Sequence, residues 1–134
     1  MIDHHAALIY TMVLISASDR NMTDAELASI GDMVLHLPVF RDFDRNMLIK
    51  VSADCARLVQ GDEGLDRALT QIKQALPKPL RETAYALACD VVAADGRATQ
   101  EELRLLELLR HRLEVGRLPA AAIERGARAR HMRI

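Results

Sequence analysis

Residues 84–113 read AYALACDVVAADGRATQEELRLLELLRHRL, and the rest of the chain is interpreted from this stretch. Its first half is apolar with no period-2 alternation, which reads as a helix buried on most sides rather than a strand. Asp95-Gly96 breaks the run. Thr99 then opens a second helix carrying Leu103, Leu105, Leu106, Leu108, Leu109 and Leu113. An offset of 76 residues lays Leu8–Leu37 on Ala84–Leu113 without a gap. Ala17/Ala93, Asp19/Asp95, Thr23/Thr99, Glu26/Glu102, Leu27/Leu103 and Leu37/Leu113 are then identical pairs, and most other pairs keep apolar on apolar. The chain therefore reads as two related helical hairpins, about residues 5–37 and 81–113, each with a central apolar helix and an amphipathic partner. The two apolar helices should lie innermost, because a helix apolar all round must be covered on every side.

Working outward, the first helix is expected over roughly residues 5–18. The second runs from Thr23, with Leu27, Ile30, Val34 and Leu37 on one stripe, to a stop at Pro38. A third is expected from about Asp42 to Val59, with Leu48, Val51, Cys55 and Leu58 facing inward. The Gly61–Gly64 turn breaks it. A short fourth helix carries Leu65, Leu69, Ile72 and Leu76. A fifth opens at Pro79 and ends at Ala94, and the sixth begins at Thr99 and is capped by Gly116. A seventh begins at Pro119 with Ile123 as its main anchor. The fold class is all-α: one domain of about seven helices spanning residues 1–134.

The paired turns are Asp19-Arg20-Asn21-Met22-Thr23-Asp24-Ala25-Glu26 and Asp95-Gly96-Arg97-Ala98-Thr99-Gln100-Glu101-Glu102. Thr followed three residues later by Glu is a capping box, in which each side chain satisfies a backbone N–H at the start of a helix. Asp19 and Asp95 need another account, since an anion at the end of a helix is disfavoured by about 0.3–1 kcal/mol. An Asx-turn onto the backbone of Asn21 or Arg97 is one account. A bound cation is the other, because Asp and Glu supply the hard oxygens that Ca²⁺ and Mg²⁺ take. An EF-hand loop ending at Glu102 would need ligands at Val91 and Ala93, and one ending at Glu26 would need them at Ile15 and Ala17. Neither turn is an EF-hand. Any further ligand must come from elsewhere, such as Glu101 or the other hairpin.

Ala-Ala-Asp-Gly at 93–96 with Glu101-Glu102, and the looser Ala-Ser-Asp at 17–19 with Glu26, resemble the tellurite-resistance TerB-like family over roughly residues 5–130. The resemblance implies an all-α fold of about seven helices and an acidic surface that binds divalent cations. It also implies a role in tellurite or other chemical stress, often as a module associating with other proteins. Carried onto this chain, the metal-binding positions are Asp19, Glu26, Asp95 and Glu102, with Glu101 beside them. Arg20 stands where the second turn has Gly96 and sets a cation beside the first turn.

Other classes are excluded or left bare. There is no phosphate loop, nucleophile elbow, H-E-x-x-H or paired-Cys motif, so no enzyme is expected. A net charge of −1, four aromatics and no Trp disfavour nucleic acid. The apolar run 6–17 lacks a basic flank and is too short to span a bilayer, which takes about 20 residues. No membrane insertion is expected, and the location is expected to be cytoplasmic. Cys55 and Cys89 read as free thiols inside helices, with a helix-to-helix bridge left open. His4 and His5 read as part of a solvated N-terminus, with a His4–His5 metal site as the alternative. Asp90, set among apolar residues, should find an Arg on another helix. The Arg-rich C-terminal quarter is read as a solvated terminal helix favoured by its dipole, with a phosphate- or nucleic-acid-binding tail and a surface held against an acidic face as the alternatives. Two functions follow: a cation-binding stress-response module, or an adaptor that acts through protein association with no metal. A protein partner is expected in either case, and a homodimer is left open.

Overall fold

The computed structural model describes residues 1–17, 22–94, 96 and 98–134. Its elements are α1 (His4–Ser16), α2 (Asp24–His36), α3 (Leu48–Gln60), α4 (Gly64–Ala75), α5 (Lys78–Ala94), α6 (Gln100–Arg112) and α7 (Arg117–Arg130), with single 3-10 turns at Pro38–Phe40 and Arg45–Met47. The fold is all-α, as the periodicity predicts, and no strand occurs among the described residues.

Asp3 starts α1, its carboxylate accepting the Ala6 N–H at 2.9 Å. Every residue from Ala7 to Ser16 is buried, with α5, α3 and α4 packed round the helix. Such a helix has no polar face to offer water, so its place is the centre of the bundle. Helix α5 is its main partner and is in turn covered by α7 and α6. The two apolar helices are therefore the innermost pair. Leu69 and Ile72 from α4, Leu76 just after it and Cys55 from α3 close the other side of α1.

Several boundaries differ from the sequence expectation for local reasons. The third helix begins at Leu48 rather than Asp42, because Asp44 accepts the Asn46 N–H at 3.0 Å and holds Arg45–Met47 in a 3-10 turn. Leu65, expected inward, is 37% exposed, and Gly64 takes the buried position. A Cβ on Gly64 would lie 2.2 Å from the Val59 carbonyl oxygen, so the α3–α4 turn closes only around glycine. Gly116 does not cap α6. Glu114, with φ +59°, takes the left-handed position, and the Val115 N–H reaches the Arg110 carbonyl at 3.0 Å while the Glu114 N–H reaches His111 at 3.1 Å. That is the paired-bond Schellman stop. Gly116 instead precedes α7, which begins at Arg117 and carries Pro119 in its first turn, where no intrahelical N–H is required. The buried residues of α7 are Ala120 and Ala127, while Ile123 is only partly covered.

Long-range polar links tie the helices together. Arg112 on α6 reaches the Asp66 carboxylate at 2.8 Å and the Thr70 hydroxyl at 2.9 Å on α4. Arg130 on α7 holds Asp90 on α5 at 2.6 Å, the Arg partner expected for that acid, with His131 Nε2 3.5 Å away. His5 departs from the solvated reading. It is half-buried, donates to the Val39 carbonyl at 2.8 Å and lies against the rings of Phe40 and Phe43. A ring flanked by two aromatics is stabilised by packing as well as by its hydrogen bond.

Candidate functional site

The acidic turns join α1 to α2 and α5 to α6. Asp19 and Asp95, the two aspartates proposed as ligands, lie outside the described residues, as do Arg20, Asn21 and Arg97. What the structure describes is the frame on either side. Gly96, at φ +73°, donates its N–H to the Ala93 carbonyl at 3.0 Å and turns the chain off the end of α5. That conformation disfavours any residue with a Cβ.

The glutamates sit in two near-identical capping boxes. The Glu26 N–H bonds Thr23 Oγ1 at 3.1 Å, and Glu26 Oε1 accepts the Thr23 N–H at 2.9 Å. The Glu102 N–H bonds Thr99 Oγ1 at 3.1 Å, and Glu102 Oε1 accepts the Thr99 N–H at 2.9 Å. Both boxes form as the spacing predicts, so capping explains Thr23, Glu26, Thr99 and Glu102. Their surroundings differ. Glu102 is 5% exposed, whereas Glu26 is only half-buried. Glu101, the neighbouring candidate, is exposed on a different side of α6 from Glu102. Adjacent helical residues point about 100° apart, so these two carboxylates do not converge. Among the described residues no three His, Cys, Asp or Glu side chains gather closely enough to hold a metal. The donor chemistry of Glu26, Glu101 and Glu102 is that of a hard cation such as Ca²⁺ or Mg²⁺. Glu26 and Glu102 would be the ones to hold it, because their caps fix them.

Neither cysteine is a reactive candidate. Both are free and buried, and burial pushes each thiol up to about 12. The thiolate is the nucleophile, so these side chains are inert at neutral pH.

A second feature escapes the sequence. A cavity of about 690 Å³ opens between α5, α6 and α7. Its floor is Tyr85, Cys89 and Val92, with Leu103 and Leu106 on one wall and Ala127 on the other. The Tyr85 hydroxyl donates to Glu124 Oε2 at 2.5 Å, and burial first, then this bond, raises the tyrosine's pKa. Leu103, one of the leucines carried by the sixth helix, is 47% exposed on this wall. The signal that could have found it is an excess. Helix α6 carries more leucines than one buried stripe needs, opposite a helix whose buried residues are alanines.

Compared with known proteins, residues 5–124 match the family model described as tellurite resistance protein TerB. No curated protein and no solved structure matches the chain. No helix among the described residues is long and apolar enough to cross a membrane. With the matched segment covering nearly all of an all-α chain, the protein belongs to the TerB family of tellurite resistance proteins.

Proposed function

We propose that the chain is a non-catalytic module acting in the cell's response to tellurite or related chemical stress, and that its two acidic turns respond to a divalent cation. The observation that carries this reading is the duplicated capping box within a TerB chain. Glu26 and Glu102 each have one carboxylate oxygen fixed on the backbone at 2.9 Å, one short turn after an aspartate. Fixing the carboxylates in advance lowers the ordering cost of binding an ion. The cation would supply charge neutralisation for the acidic turns. The chain's own residues set its position through the Thr–Glu caps. Ca²⁺ and Mg²⁺ suit these oxygen donors, and Asp19, Glu26, Asp95 and Glu102 would be the ligands, with Glu101 within reach of solvent beside them.

The second reading is an adaptor that works through association with another protein or with a second copy and takes no metal. What favours it is that a capping box alone requires both glutamates where they stand.

Thermal unfolding of chelator-stripped protein separates the two. A cation present at 100 times its Kd adds about 2.7 kcal/mol, on the order of 10 °C in midpoint for a domain of this size. Ca²⁺, Mg²⁺, Mn²⁺ and Zn²⁺ are each added to the native chain and to Asp95→Asn. The cation reading expects a shift of that order, abolished in the variant. No shift with any of the four ions, or an equal shift in Asp95→Asn, transfers the function to the adaptor reading.

A further inference from the structure

We infer that the groove between α5, α6 and α7 is a binding site for a single-chain anionic amphiphile, with an apolar body and one carboxylate at its end. The groove borders the second acidic turn at Gly96 and Ala98, but the inference uses none of that turn's carboxylates. Its volume of about 690 Å³ is within the 300–1,000 Å³ usual for small-molecule sites. The walls are mostly hydrocarbon. Leu103 and Met132 line the groove while remaining 47% and 68% exposed, so apolar surface stays in water at the mouth. Covering it would be favourable by the ordinary hydrophobic effect.

The head group follows from charge. Arg110 from α6, Arg128 from α7 and Arg133 just beyond the end of α7 border the same groove. Arg130, one helical position away from the rim, is already neutralised by Asp90. Among the described residues neither Arg110 nor Arg128 pairs with a carboxylate, and the contacts of these two rim groups are an Arg110–His111 approach of 3.3 Å and open solvent. Among the described residues Arg133 makes only a long 3.4 Å contact to the Ala94 carbonyl, beside Gly96. Among the described lining residues two acids share the rim, Glu107 and Glu124, the latter also accepting the Tyr85 hydroxyl; they face three guanidiniums, which leaves one positive charge in excess. An apolar slot with unspent guanidiniums at its edge selects a ligand that is apolar along its length and anionic at one end.

The test uses the full chain in chelator, so that a cation effect at the turns cannot enter. Dodecanoate below its micelle concentration is titrated by calorimetry and by methyl NMR. Dodecyltrimethylammonium, with the same chain and the opposite charge, is run in parallel. The expected result is saturable binding of dodecanoate, at least about tenfold tighter than the cationic amphiphile. Its shifts should be confined to the methyls of Val92, Leu103, Leu106, Ala127 and Met132. Arg128→Glu, at an exposed position, should remove most of that preference while leaving the circular dichroism unchanged, and Leu103→Glu should block both amphiphiles. The inference is overturned by no shifts at saturating dodecanoate, by shifts elsewhere, by equal affinity for the two amphiphiles, or by an unaltered preference in Arg128→Glu. An acidic amphipathic peptide that shifts these methyls where dodecanoate does not would equally overturn it and make the groove a protein-docking surface.

Discussion

Helix α1 is sheathed on every side, whereas α5, which the 76-residue offset sets against it, keeps one flank open to a groove. The two helices start from similar apolar runs, yet their covers differ. Helix α1 meets α3 and α4, which bring Cys55, Leu69 and Ile72 against it. Helix α5 meets α7, whose buried side chains are Ala120 and Ala127. Small side chains let α7 approach α5, but they do not reach across to α6. The width of the covering side chains decides whether an apolar helix ends in a sealed core or in a cavity. The same contrast recurs at single positions. Leu14 is buried in hydrocarbon, whereas its offset partner Asp90 is tied to Arg130. Ser16 leaves its buried hydroxyl without a hydrogen-bond partner among the described residues, where Val92 presents only carbon.

The sharpest way to break the comparison is to cut the same offset position in both helices. Ile15 is 0% exposed and Val91 is 6% exposed. Ile15→Ala should cost about 3–4 kcal/mol and Val91→Ala about 2 kcal/mol, measured by urea unfolding, because the sealed site cannot relax around the larger cavity. A difference of no more than about 0.8 kcal/mol, the worth of the one extra methylene in Ile15, would mean that the two helices are equally enclosed.

The caps give an intermediate effect. Thr23→Ala should destabilise by about 0.5–1 kcal/mol and Thr99→Ala by about 1–2 kcal/mol, since Glu102 is buried and loses part of its hydrogen bonding away from water. Thermal unfolding of the two variants side by side decides it. A larger loss at Thr23 would reverse the ranking and place the tighter cap at the first turn.

The smallest effect is at the ion pair. Arg130 is 57% exposed, so Arg130→Ala should cost no more than about 1 kcal/mol, and the loss should shrink in high salt. Asp90→Leu, which copies Leu14, should be neutral within about 1 kcal/mol, because replacing both the charge and its desolvation cost tends to balance. A large loss in Asp90→Leu would show that the Asp90–Arg130 link positions α7 rather than merely decorating it.

Most of the helices and both caps were legible in the sequence because they rest on interactions three or four residues apart. The stripe at Leu27, Ile30 and Val34, the stop before Pro38 and the Thr–Glu boxes at 23–26 and 99–102 all depend on chain neighbours. Boundaries that rested on one glycine or proline were less secure. Gly116 looked like a cap until Glu114 took the left-handed turn, and Pro119 looked like a helix start until it proved to sit within the first turn of α7. The two glutamates of the candidate site are placed by the same local rules, while its aspartates, Asp19 and Asp95, lie outside the described residues.

By itself, then, the sequence determined an all-α chain with two apolar central helices, twin capped turns and the residues that give it its place among TerB proteins. The tertiary structure alone decided that Leu103 faces a groove, that His5 packs between aromatics and that Asp90 belongs to Arg130. The physical reason is the range of the interactions. Periodicity states which face of a helix must be covered. It carries no record of which distant segment covers it, or of whether that segment's side chains are long enough to fill the space.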